Sequence, residues 1–553
     1  MNPVLAVGAV IDAKNPAAWV CLLLARIQQY PALDLQAVVV VAHADKQHHQ
    51  QTSMSAFHRL GQWLLQSKID KSLFNQDPWE SQDLPAGINL VERTDAAVAL
   101  SNCQIVLNLC HSDIPEDVVS DLTTSIWSAE ISSLDTRVEQ ALLRRDPLNW
   151  IYLWSQTTGN KAKAKPAKLI ASHALPTESY SITDWRKSAY FCLPSLFSSR
   201  LNWLAQYSDL LDIELDNPGI CCELIKEERA VSAQQAVLDI EPVASRRAFN
   251  GAGYLKRVLS IWARQTLKRL ADRLWVDQWQ LAAFDHGEQS ASLIDEIGST
   301  NIEDYSALPC PKNLIRADPH VLEQAGNTHI LFEEMATGGS KAHIASAKLD
   351  GTGKASDFKT VLKEDLHLSY PFLFSHEGVA YMIPETASKK TVTLYRANDF
   401  PQHWEVVGDL LTDIDAADST IIHFENRWWL FTNSQSHRVV DERDELLLYF
   451  AEKLTGPWQA HPLNPVLTGV DRARMAGPLI SENGILHRPS QYGAVRYGRG
   501  INLNRIERMD TTHYQETPVA RILPKKDSKW SGCHSITRAQ GLTIVDRVCR
   551  QRR

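Results

Sequence analysis

From Asp318 onward the chain repeats itself. Short alternating apolar runs, broken by Gly and Asn turns, recur at about fifty residues, the spacing of β-propeller blades. Four units superpose, their first strands opening at Ala317-Asp318-Pro319-His320, Ser369-Tyr370-Pro371-Phe372, Asp418-Ser419-Thr420-Ile421 and Ala476-Gly477-Pro478-Leu479. Each is followed by a turn: Ala325-Gly326-Asn327, His376-Glu377-Gly378, Glu425-Asn426 and Glu482-Asn483-Gly484. Return strands are expected at 329–333, 381–385, 428–432 and 485–488, and third strands at 342–349, 392–397, 446–452 and 494–500. Phe400-Pro401-Gln402-His403-Trp404 and Gly456-Pro457-Trp458 close two of the units. Four units leave exposed sheet edges. A fifth sheet, built from 278–284 and the stretch from Ile501 onward, would close the ring.

Blade geometry says where chemistry collects. The innermost strand of each blade lines the axis and the next runs back beside it, so first-strand starts and second-strand ends meet at one end of the ring. This gathers Asp318 and Asp418 with Glu333 and Glu385, while Arg488 takes the comparable place in the fourth unit, with Arg474 and Gln491 nearby. Carboxyls beside arginines suit sugar chemistry, one protonating a leaving oxygen and another acting as base or nucleophile. Asp318 is assigned as base or nucleophile, Glu385 as acid and Asp418 as the group that tunes their proton affinities. Glu333, Tyr370, Arg474, Arg488 and Gln491 are assigned to substrate, the arginines for an anionic or hydroxyl-rich group. The competing structural explanation is that the acids cap blade turns and pair with the arginines. Glu334, beside Glu333, should point to the opposite face of its strand. Trp404, Trp428, Trp429 and Trp458 suit packing between blades better than stacking on sugars. His320, His423 and His461 show no metal-ligand spacing, and no metal or cofactor is expected.

The first half has another texture. An apolar run at 4–10 ends at Asp12, Asn15-Pro16 is expected to open a helix over 17–29, and β-rich runs at 37–42, 88–91 and 105–109 alternate with helical stretches such as 57–66. Strands alternating with helices imply an α/β domain on a parallel sheet covered on both faces. The turn after the first strand carries neither G-x-G-x-x-G nor G-x-x-x-x-G-K-[ST], so no phosphate-cradling loop is read. His48-His49 and the lysines Lys161, Lys163, Lys165 and Lys168 read as solvated loops. Residues 254–274 form a basic amphipathic helix, with Leu255, Val258, Leu259, Trp262, Leu270 and Leu274 near one face. It is expected to connect the domains, with peripheral membrane contact as the alternative.

A length of 553 residues requires more than one domain. With 44% hydrophobic and 22% charged residues the composition is that of globular protein, and a net charge of −8 argues against general nucleic-acid binding. Nine scattered cysteines with no C-x-x-C pair fit reduced thiols, Cys103 and Cys110 as buried structural residues. No secretory leader or membrane span is read, and a cytoplasmic protein is expected.

The ordered motifs Ala317-Asp318-Pro319, Ser369-Tyr370-Pro371, Pro384-Glu385, Leu394-Tyr395-Arg396, Asp418-Ser419-Thr420, Gly456-Pro457-Trp458, His461-Pro462, Asn464-Pro465 and Arg488-Pro489 carry a resemblance. The segment resembles the propeller domain in the N-terminal part of plant glucosamine inositolphosphorylceramide transferases and their bacterial relatives. More remotely it is similar to five-bladed glycosidases such as arabinanases and invertases. The glycosidase resemblance implies three carboxylates on successive blades, and Asp318, Glu385 and Asp418 satisfy that order, although their types differ from the usual Asp, Asp, Glu. The first half resembles the formyltransferase-type α/β domain, in degenerate form. Around 108–113 and 125–130 the Asn, His and Asp set needed for formyl transfer is missing. The expected protein is therefore multidomain: a formyltransferase-like α/β domain over 1–210, a linker with the basic helix over 211–274 and an all-β five-bladed propeller over 275–553. It is expected to act on a glycosidic bond in glycan metabolism. A glycosyltransferase using an activated sugar donor, or a non-catalytic glycan-binding module, is the alternative.

Overall fold

A computed structural model of the protein describes residues 4–41, 80–111, 113–119, 122, 124–129, 131, 134, 148–157, 168–176, 182–206, 251–285, 292, 294, 300–434, 443–494, 496–539 and 541–552. His48-His49, the helix expected over 57–66, Lys161, Lys163 and Lys165, and residues 211–250 lie outside the described residues. The chain divides into two compact units, with a boundary between Leu267 and Lys268.

The first unit holds a seven-stranded sheet. Its strands are β1 (Leu5–Ile11), β2 (Leu33–Val40), β3 (Leu90–Glu92), β4 (Ile105–Asn108), β5 (Ser125–Ser128), β6 (Leu148–Thr157) and β7 (Lys168–Pro176), in the order β3-β2-β1-β4-β5-β6-β7. The first five are parallel, as the near-continuous apolar runs require, because both faces are covered. Successive residues alternate between two cores. Val7, Ala9, Val38, Val40 and Leu107 pack with Trp19, Leu23 and Ile27 of helix Ala18–Gln29, whereas Val10, Val39 and Val106 pack with Ala96 and Leu100. Three expectations change. The sheet is mixed, since β6 and β7 run antiparallel, and Lys168 begins β7 where a loop was expected. The helix over 18–29 has Ala17 at its N-cap without a side-chain cap, and Asn15 instead donates to Asp83. The basic helix is present at Gly251–Leu274, with Val258 buried and Leu259 exposed, and no described helix is long and apolar enough to cross a membrane.

The second unit is a five-bladed propeller. Blade I comprises Leu314–Gln324, Asn327–Ala336, His343–Leu349 and Ala355–Leu362; blade II comprises Ser369–His376, Val379–Glu385, Thr391–Asp399 and His403–Thr412. Blade III is Ala417–Phe424, Arg427–Ser434 and Glu445–Ala451, with short outer strands. Blade IV is Ile480–Glu482, Ile485–Tyr492, Gly500–Met509 and Tyr514–Ile522. Blade V joins both ends of the unit: Ile536–Ala539 and Leu542–Arg552 from the C-terminal side pair on to Trp275–Asp285 and Ser306–Ala307. Closure by distant segments leaves no open edge between the first and last blades. Trp428 and Trp429 are buried in the core shared by blades II and III, as packing residues should be.

Blades IV and V correct two expectations. The third strand of blade IV begins at Gly500 and not at Ala494, so the stretch from Ile501 to Ile522 completes blade IV and blade V starts later. Close approach explains the shift. A Cβ on Gly498 would lie 2.7 Å from the Trp279 ring, and one on Gly532 would lie 1.8 Å from the Gly498 carbonyl oxygen, so residues 496–499 are pressed on blade V.

Candidate active site

The inner strands of blades I to III share one irregularity. Their pairing with the second strand slips between Ala317 and His320, between Ser369 and Phe372, and between Ala417 and Thr420. Within each slip one residue takes left-handed backbone: Asp318 at φ 53°, Tyr370 at 41° and Asp418 at 50°. Such conformations cost non-glycine residues about 1–3 kcal/mol each, and a bulge turns its residue out of the ladder. The surroundings hold them. Each bulge N–H donates to a carboxyl of the preceding blade: Asp318 to Asp546 Oδ2 (3.1 Å), Tyr370 to Asp318 Oδ2 (3.2 Å) and Asp418 to Glu385 Oε2 (3.3 Å). The acids therefore staple the ring as well as furnish its charge.

Their side chains form one connected cluster. Arg474 Nε lies 2.6 Å from Asp418 Oδ2, and Gln491 Nε2 donates to the same oxygen at 3.4 Å. Arg443 Nη1 stands 3.7 Å from Glu385 Oε1, and His367 Nε2 stands 3.5 Å from Glu333 Oε1. Glu333 stands close enough to Asp318 for the two acids to act on each other's proton affinity. On the other side of Asp318, His534 Nε2 is 3.3 Å from Oδ1, and His534 Nδ1 is 2.7 Å from Asp546 Oδ2. Above this group sits Tyr497, 43% exposed, its ring 5.0 Å from the Arg474 guanidinium and 5.3 Å from the His534 ring.

Burial separates the proton affinities. It pushes Glu385 up to about 8, with the Asp418 carboxylate adding to the rise and Arg443 and Arg474 opposing it. It raises Asp318 to about 6, where His534 restrains the climb and Asp546 and Asp418 assist it. Glu333 is pushed well above the carboxyl range by burial, then by the charges of Asp318 and Glu385. His534 goes the other way: burial opposes its charge, but Asp546 and Asp318 outweigh burial and raise it to about 9. His320, buried against the Asp318 carbonyl, falls to about 4. Near pH 7 the cluster thus contains protonated carboxyls, an ionised Asp318 and an imidazolium side by side.

Six of the sequence-assigned residues meet here: Asp318, Glu333, Glu385, Asp418, Arg474 and Gln491. Tyr370 reaches the cluster by its backbone, while its buried hydroxyl stands 2.9 Å from that of Thr420. Arg488 lies apart. It is fully buried in blade IV, pairing with Glu516 through two contacts of 2.7 Å and donating to the carbonyls of Arg472 and Ala473. Glu334 points the other way, onto Arg316. Sequence reasoning missed Arg443, Tyr497, His534 and Asp546. A single acid inside the buried run 542–548 was the available signal for Asp546. Asp318, His534 and Asp546 present ligand-type atoms within 4.8 Å of one another. Asp546 also accepts backbone N–H groups from Asp318, His534 and Ser535, which knits the trio to the protein.

The fold and site define a five-bladed propeller with a buried carboxyl cluster stapling its inner strands. Residues 300–543 match the family described as Glucosamine inositolphosphorylceramide transferase 1, N-terminal. Among curated relatives, Glucosamine inositolphosphorylceramide transferase 1 of Oryza sativa subsp. japonica is 33% identical over 212 residues, 38% of this chain and 28% of the relative. Its counterpart in Arabidopsis thaliana is 29% identical over 228 residues, 40% of this chain and 30% of the relative. The match thus spans less than a third of the length of these relatives. Among solved structures, a family 117 glycoside hydrolase from Zobellia galactanivorans aligns at 12% identity and TM-score 0.32, covering 49% of this chain and 90% of its own. An exo-1,5-α-L-arabinanase from a bovine ruminal metagenomic library aligns at 15% identity and TM-score 0.31, covering 44% and 95%.

Proposed function

We propose that the propeller binds a sugar and acts on its glycosidic bond at the carboxyl cluster. Glu385 gives its proton to the leaving oxygen as the glycosidic C–O bond breaks, while a water oxygen bonds to the anomeric carbon and Asp318 takes the proton that water gives up. Asp418, braced by Arg474 and Gln491, supplies the negative charge that helps to keep Glu385 protonated. The observation that carries this reading is the split in proton affinity between neighbouring acids, Glu385 at about 8 and Asp318 at about 6, which readies an acid and a base at the same pH.

A second reading replaces water by a sugar hydroxyl, making the reaction a transfer. It is favoured by the relatives of this domain, which are named as transferases. Glu385→Gln and Asp318→Asn, assayed on a panel of glycosides with and without sugar acceptors, test both. Turnover should vanish in each variant, and dependence on acceptor selects transfer. Unchanged turnover in either variant would remove the assignment.

A further inference from the structure

We propose that His534, seated between Asp546 and Asp318, is a built-in imidazolium that positions Asp318 and fixes its charge. The site reading above gives no role to His534 or Asp546, and the functional half of this inference rests on that reading.

Ring chemistry carries the argument. Both nitrogens face acid oxygens, Nδ1 at 2.7 Å from Asp546 and Nε2 at 3.3 Å from Asp318. A neutral imidazole has one N–H, so one of these contacts would set a lone pair near an acid oxygen, whereas the doubly protonated ring presents positive charge to both. The Nδ1 approach is close but poorly aligned for a hydrogen bond, so attraction of charge is its main content. Asp546 cannot swing away to relieve a mismatch. Its Oδ1 accepts the backbone N–H of His534 (2.8 Å) and of Ser535 (3.0 Å), and its Oδ2 accepts that of Asp318.

The remaining neighbours are compatible. Trp279 of blade V lies 4.2 Å away between ring centres and Tyr497 of the blade IV loop lies 5.3 Å away, offering aromatic surfaces to a cation. Arg474 opposes the charge, and it is itself engaged by Asp418. The charged and titratable groups facing His534 are thus Asp318 from blade I, Asp546 from its own blade, and Arg474 and Tyr497 beside blade IV. Beyond Asp318 stand Glu333 and Asp418.

The ion chain Asp546–His534–Asp318 gives the mechanism two things. It steers one oxygen of Asp318 away from the bulge, since Oδ1 faces His534 while Oδ2 accepts Tyr370 N–H. It also holds Asp318 anionic against burial and three nearby acids. His534 is a positioning residue and transfers no proton.

Nitrogen-15 NMR of the full chain, labelled at the histidine rings, tests the charge without any substrate. The resonances lost in His534→Gln, or displaced in Asp546→Asn, identify the ring independently. Both ring nitrogens should show protonated shifts from pH 6 to 8, and the titration midpoint should fall by at least about one pH unit in Asp546→Asn. A neutral-tautomer pattern at pH 7, or a metal-type shift on adding Ca²⁺ or Zn²⁺, overturns the proposal. If turnover is found, His534→Gln should move the acid limb of its pH profile up by about one unit, because the charge that restrains the rise of Asp318 is gone. An unmoved limb refutes the positioning role. Should no glycoside be turned over, the NMR result still decides the charge of His534.

Discussion

Replacing Glu385 by Gln separates the charge of the cluster from its shape. The amide keeps an oxygen to accept the Asp418 N–H, now donated at 3.3 Å, and it is nearly isosteric with the protonated acid. Glu385 has a folded value of about 8, raised from 4.5, with a side chain only 9% exposed. A raised value sets the sign: this contribution is fully present below the unfolded value and is lost as pH climbs through about 8. The slope is about 1.4 kcal/mol per pH unit inside that window, or about 2–3 kcal/mol between pH 6 and 8. His534, also raised, contributes in the same direction at higher pH. Guanidinium denaturation of both proteins at pH 6 and pH 8 measures the difference. The natural protein should lose stability over that interval, and Glu385→Gln should lose about 2 kcal/mol less, starting already about 2 kcal/mol the more stable at pH 6 because Glu385 of the unfolded chain is ionised there. Equal pH dependence in the two proteins, or a natural protein more stable at pH 8, would refute the argument. If Glu385 is the proposed acid, the variant should also lose about 10²–10⁴ in turnover, least for substrates whose leaving group needs no proton.

Other perturbations follow from the same contacts. Glu516→Gln leaves the fully buried Arg488 without its counter-charge and should cost about 3–5 kcal/mol in denaturation, with sugar affinity of the folded fraction unchanged; a cost under about 1 kcal/mol would contradict the pairing. Gly477→Ala drives a Cβ to 1.9 Å from the Ile536 carbonyl oxygen at φ 143°, so blade IV must separate from blade V. That variant should melt well below the natural protein, and an unchanged melting point would disprove the close approach. Tyr497→Ala removes a half-exposed ring from above Arg474 and His534. Calorimetry should show stability held within about 1 kcal/mol and sugar binding weakened, since stacked aromatic rings contribute through contact area; unaltered affinity would place the sugar elsewhere.

The propeller was legible because its blades repeat their turns at fixed spacing. Asp318 and Asp418 stood at matched strand starts, and strand order alone brought them to Glu333 and Glu385. What remained hidden lies where repetition fails. Blade V is assembled from both ends of the unit and opens with Cys533-His534-Ser535, so nothing in its sequence marks His534 and Asp546 as partners of Asp318. Arg488 misled for a related reason: its place along the second strand matched the acids, but its side chain turns toward Glu516 within its own blade. The bulges were invisible too, because left-handed backbone at Tyr370, a residue type that avoids it, depends on an N–H taken up by a carboxyl of another blade. In the first unit the apolar runs announced parallel strands, whereas the reversal of β6 and β7 depends on chain direction, which hydrophobic pattern does not encode.

A crystal structure of Glu385→Gln soaked with a sugar panel tests the whole account most directly. It should place a sugar ring at the inner end of the propeller, with its glycosidic oxygen within hydrogen-bond reach of residue 385 and the Asp318 carboxylate facing the anomeric carbon or the group that attacks it. Sugar found only on the first unit, or on the outer strands away from both residues, would contradict it.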